Sequence, residues 1–124
     1  MLEALFLLFV KHFVCDFPLQ TSPWMYRNKG IYLHLGGIAH SAVHAVGTWL
    51  VLVYFLGAYP ALIYALIDFV VHYHIDWAKL NLNKRYDLTP VNSNGFWILL
   101  GLDQLAHHIT YFAIIYYAFN YTLR

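Results

Sequence analysis

The chain has 124 residues, of which 61% are hydrophobic, 19% aromatic and 10% charged, and its formal net charge is +1. Soluble domains carry about a quarter charged residues, so this composition points to an integral membrane protein, and the length allows a single domain over residues 1–124. Basic residues this few and this scattered exclude a nucleic-acid footprint, which needs clustered cations against phosphate; the expected partner is the lipid bilayer.

A membrane span takes about 20 apolar residues, and four segments approach that length. The first runs from about Leu2 to Phe17, is stopped by Pro18, and carries Lys11, His12 and Asp16 in its last turns. Its one cysteine, Cys15, leaves no intrachain disulfide and reads as a small buried hydrophobe. The start lacks a basic n-region and a small-x-small site, so the segment is expected to stay rather than be cleaved. A connection with two prolines (Pro18 to His34) leads to the second segment, about Leu35 to Leu56, and Gly57-Ala-Tyr-Pro60 turns tightly into the third, about Ala61 to Leu80. An Asn-rich connection (Asn81 to Gly95) precedes the fourth, about Gly95 to Tyr121.

The expected fold is all-α: an up-and-down bundle of four transmembrane helices. Trp24, Trp77 and Trp97 fall near helix ends, where indoles favour the headgroup region. Arg27 and Lys29 lie in the first connection and Lys84 and Arg85 in the third, while the short turn has no basic residue and the C-terminus only Arg124. The positive-inside rule then puts the two long connections in the cytoplasm and both termini outside.

Ionisable residues are ordered within these helices. They form His12 and Asp16 on the first, His40 and His44 on the second, Asp68, His72 and Asp76 on the third, and Asp103 and His107 on the fourth. A spacing of four puts both side chains of a pair on one face. In an alternating bundle the end of helix one, the start of two, the end of three and the start of four share a side, so the four pairs can meet in one layer. Burying Asp or Lys at a helix centre costs about 2.5–3.5 kcal/mol each unless it is compensated. Five histidines and three aspartates call for a divalent ion: one or two of zinc, with manganese or iron as alternatives, held by His12, Asp16, His40, His44, His72, Asp76, Asp103 and His107.

Blander readings compete, since one such pair serves equally as interhelical hydrogen-bonding glue, and a proton or ion path also needs buried Asp and His. Asp68, a turn from His72, is expected to orient it from behind. Lys79 either contacts a substrate phosphate or snorkels to the interface, and Lys11 and His108 are candidate proton donors. His34 reads as a loop residue, and His74 and His108 as offset from the shared face.

KHFVCDFPLQ, HSAVHA, HYHIDWAK and DQLAHH, in that order, resemble a family of small bacterial and phage integral membrane proteins, a domain of unknown function. The resemblance implies the inner membrane of a prokaryote and brings no activity. In ligand chemistry the set is also similar to membrane-bound metal-dependent hydrolases and to zinc phospholipase C. The expected function is therefore hydrolysis of a phosphoester such as a lipid headgroup or a lipid-linked phosphate, with metal ions activating water. Metal or proton transport or sensing, and a purely structural metal, are the alternatives; a thin bundle is also compatible with a homo-oligomer.

Overall fold

Apolar side chains recurring every three or four residues favour helices throughout, and the computed structural model, which describes residues 1–122, contains no strand among the described residues. Helix α1 is Leu2–Asp16; the amide of Phe17 still reaches the Phe13 carbonyl at 3.0 Å, but Pro18 has no amide with which to continue. A short helix, α2 (Pro23–Asn28), forms inside what the sequence presents as a connection, with Pro23 pre-set for the first helical position. Helix α3 is Leu35–Leu56, capped by the His34 ring, whose Nδ1 accepts from the Gly36 amide at 2.9 Å. Helix α4 is Ala58–Arg85, and α5 is Asn94–Tyr117, capped by the Ser93 hydroxyl and followed by a π-helical turn, Ala118–Thr122. Arg124, counted above for orientation, lies outside the described residues.

Helix α4 departs most from the sequence reading. Gly57 alone, at φ +80°, separates it from α3, and Pro60 sits within its first turn, where a missing amide costs nothing. At the other end it runs past Leu80 to Arg85. The Asn81 amide donates to the carbonyls of Trp77 and Gly30, tying the added turn to the loop after α2, so a tertiary contact outweighs poor helix propensity.

Helices α3, α4 and α5 with its terminal turn are each long and apolar enough to cross a membrane. Helix α1, at 15 residues, spans only ~22 Å. It packs on α3 and α5, α4 packs on both α3 and α5, and α2 lies against α3. The four longer helices thus enclose one interior.

That interior is divided along its length. Ala4, Leu8, Leu52, Leu56, Ala61, Ile114, Ile115 and Ala118 close the end that holds the turn at Gly57, with the Tyr111 ring at its floor. Towards the long connections the buried side chains are polar, while the outside carries Phe6, Val10, Leu50, Leu66, Val70, Ile98, Leu105 and Phe112. Apolar outside and polar inside is the reverse of a soluble bundle.

Helix α2 approaches α3 so closely that a Cβ on Gly36 would stand 2.7 Å from the Trp24 carbonyl oxygen. Backbone cannot yield as a flexible side chain does. Gly36→Ala is therefore expected to cost about 1–3 kcal/mol and to speed proteolytic cleavage between residues 18 and 34 in detergent. An unchanged melting midpoint and cleavage rate would show that α2 does not dock as described.

Candidate metal centre

The i, i+4 pairs of all four long helices meet in the polar half. His12, His40, His44, His72 and His107 are each at most 2% exposed, and their rings form one cluster: centroids of His44 and His72 are 3.6 Å apart, of His72 and His107 4.2 Å, and of His12 and His107 4.8 Å. Asp16 reaches in from the end of α1. Its Oδ1 stands 3.1 Å from His40 Nε2 and 3.3 Å from His44 Nε2, and His40 Nε2 is 3.2 Å from His72 Nε2. A tetrahedral zinc with ligands at 2.0–2.1 Å separates neighbouring ligand atoms by about 3.3 Å. Three of the six spacings within this group, those just given, are close to the edges of such a polyhedron.

Two groups have one ligand atom from each member within 4.8 Å of the others: Asp16, His40, His44 and His72, and then His72, Asp76 and His107. These residues can hold a metal ion. His12 and Asp103 lie beside the two groups rather than in them. His107 donates Nδ1–H to the Asp103 carbonyl at 2.8 Å, which leaves Nε2 unprotonated in the neutral ring and without a hydrogen-bond partner. His44 Nε2, both Asp76 oxygens and Asp103 Oδ1 are likewise buried without an aligned hydrogen bond, although Lys29 and Lys79 lie close to Asp76. Buried polar atoms are normally satisfied, and a bound ion or ordered water would satisfy several of these at once.

Three lysines enter this interior. Lys29, only 5% exposed, contacts Asp76 from the loop after α2, and Lys79 lies 3.0 Å from Asp103 and 3.7 Å from Asp76. Lys29 was legible in the sequence only as a loop cation, because no helical spacing ties it to the cluster. Gln104 was missed as well; it bonds His12, Asp16 and Asp103. Lys29 and Lys79 also line a cavity of about 260 Å³ with Gln20, Tyr26, Asn83 and Phe96, at the end facing the long connections.

One turn deeper lies a second polar layer. Lys11 donates to Asp68 Oδ2 at 2.9 Å and to the Tyr111 hydroxyl at 3.0 Å, and the Thr48 hydroxyl also donates to Asp68. Asp68 thus serves Lys11 and Thr48 rather than orienting His72. Thr48, Asp68 and Tyr111 are each four residues from a histidine of the upper layer (His44, His72 and His107), so the same helical row that exposed the upper layer could have revealed this one. Lys11, expected as a proton donor, is held in this deeper pair. His108 is exposed and packs against Phe9, with the two rings tilted, outside the cluster; His74 is exposed too, and bonds the Val70 carbonyl. His34 serves as the cap of α3.

Removing one partner of a buried ion pair strands the other charge, at about 3–5 kcal/mol, whereas replacing both by apolar groups is close to neutral. Lys11→Met is expected to lower stability by that amount, and Lys11→Met with Asp68→Leu to recover most of it, measured by thermal unfolding in detergent. Equal losses in the single and double variants would show that the two groups are not coupled.

A family model described as Protein of unknown function (DUF3307) matches residues 4–124. No curated protein and no solved structure matches the chain. With nearly its whole length covered by that model, the chain belongs to the DUF3307 family.

Proposed function

We propose that the chain is a bundle of four transmembrane helices that holds a divalent metal ion between Asp16, His40, His44 and His72, and that it hydrolyses a phosphoester carried on a lipid. One observation carries the metal reading. Of the buried aspartates, Asp68 has Lys11, Asp76 has Lys29 and Asp103 has Lys79, whereas Asp16 is met by His12, His40, His44 and Gln104 without a lysine among the described residues. A carboxylate buried among imidazoles in a bilayer needs a cation, and a metal ion supplies one. Three imidazoles and one carboxylate suit zinc, and they also accept manganese or iron. Asp76 is already met by Lys29, so the group of His72, Asp76 and His107 is the weaker one and takes a second ion only if Lys29 withdraws.

A divalent ion held by these residues would supply Lewis acidity towards a phosphoryl oxygen and a water molecule. The hydrolysis would form a bond from the water oxygen to phosphorus, break the ester P–O bond and pass the water's proton to the leaving alkoxide. Lys29 and Lys79 line the cavity beside the carboxylates, where ammonium groups can receive an anionic headgroup. The apolar packing of Leu8, Leu52, Leu56, Ile114 and Ile115 beyond Tyr111 offers an ion no polar path onward, which favours chemistry over transport. With Lys29 turned inward, Arg27 on α2 and Lys84 and Arg85 in the last turn of α4 remain as cations at that end; they favour the cytoplasmic side for the site, in the inner membrane of a prokaryote.

Elemental analysis of protein purified in detergent is expected to find at least one transition metal per chain, lost in His44→Ala and Asp16→Asn. Incubation with phosphatidate and with isoprenyl phosphates is expected to release phosphate or the lipid alcohol, with Lys79→Ala at least ten-fold slower. Absence of metal from wild type after reloading overturns the metal; turnover that persists in His44→Ala overturns the catalytic role.

A further inference from the structure

His12 has the spacing of a metal ligand, yet its surroundings fix it for a different task. The Tyr111 hydroxyl is fully buried and has two polar neighbours among the described residues, Lys11 Nζ at 3.0 Å and His12 Nδ1 at 3.0 Å. An ammonium group only donates, so the Tyr111 oxygen accepts from Lys11 and its single proton goes to His12 Nδ1. A neutral imidazole that accepts at Nδ1 carries its own proton on Nε2.

Gln104 leads to the same conclusion from the other side. Its amide nitrogen is 3.2 Å from Asp103 Oδ2 and 3.5 Å from Asp16 Oδ2, and turning the amide over would set its oxygen against two carboxylates. Its Oε1 therefore faces His12 Nε2, at 3.2 Å, and needs a donor there. Asp16 Oδ2 also lies 3.1 Å from that nitrogen, but the N–H points at Gln104.

We infer that His12 is a positioning residue and not a metal ligand: its Nε2–H holds the Gln104 amide, which in turn donates to Asp16 Oδ2, so that Asp16 would meet the ion through Oδ1, the oxygen that faces His40 and His44. This rests on the metal reading above. Partners of this kind fix the orientation of a ligating group and commonly change metal affinity by 10–100-fold. The anchor of the arrangement is the Lys11–Asp68 pair, which presents Tyr111 with a donor and so sets the direction of the chain from Lys11 through Tyr111 to His12. Lys11 Nζ also stands 3.5 Å from His44 Nδ1, a longer contact than those it makes to Asp68 and Tyr111.

Two readouts test the inference. In nitrogen-15 spectra of histidine-labelled, metal-free protein in micelles, with His12 assigned through its backbone, the proton is expected on Nε2, and Tyr111→Phe is expected to change the tautomer ratio. A proton on Nδ1 in wild type, or a ratio indifferent to Tyr111→Phe, overturns the relay. In equilibrium dialysis against Zn²⁺, His12→Gln is expected to keep the wild-type stoichiometry with ~10–100-fold weaker affinity, while His44→Ala loses one equivalent. Loss of that equivalent in His12→Gln overturns the assignment. A wild type that binds no Zn²⁺ contradicts the metal reading instead, and the tautomer spectrum then decides the relay alone.

Discussion

Four buried carboxylates in an apolar bundle impose the constraint to which the rest of the molecule answers. Each must meet a cation or several hydrogen-bond donors, because a stranded charge in such surroundings costs more than any single packing contact returns. Three lysines come from different places for this purpose: Lys11 from α1, Lys79 from α4, and Lys29 from a loop that α2 and Gly36 bring down against α3. The fourth carboxylate, Asp16, is surrounded by imidazoles and an amide. The proposed metal follows from that imbalance rather than from the histidine count.

The same constraint explains the division of the interior. Polar side chains gather in two adjacent layers towards the long connections, and the far end is filled by Leu, Ile and Ala from all four long helices. A bundle this thin has room for one polar region at each depth, so the upper layer, the lysine-lined cavity and the loops form one functional end. Under the proposed function, a substrate with its phosphate at the interface would reach that end without crossing the bilayer. The deeper Lys11–Asp68–Tyr111 layer then acts as a floor that orients what lies above it.

Much of this was legible in the sequence because helices obey simple periodicities. The spacing of His12 with Asp16, His40 with His44, His72 with Asp76 and Asp103 with His107 gave a shared face, and the alternation of chain direction gave a shared depth; the structure gathers six of these eight into two groups of close ligand atoms, with His12 and Asp103 beside them. What resisted reading depended on contacts between segments distant in the chain. Helix α2 and Lys29 sit where composition says only loop, and the last turn of α4 depends on Asn81 bonding Gly30. Spacing also could not tell a ligand from its support. His12 and Asp68 lie on the same helical rows as the candidate ligands, and only their hydrogen-bond partners separate the roles.

X-ray absorption at the zinc edge, on protein loaded with Zn²⁺ in lipid nanodiscs, examines the coordination at Asp16 most directly. Nitrogen and oxygen neighbours at about 2.0–2.1 Å, with the outer-shell scattering of three imidazole rings that weakens by one ring in His44→Ala, are expected. An ion surrounded by water oxygens without imidazole scattering, or a spectrum unchanged by that substitution, would contradict a metal centre built on Asp16, His40, His44 and His72.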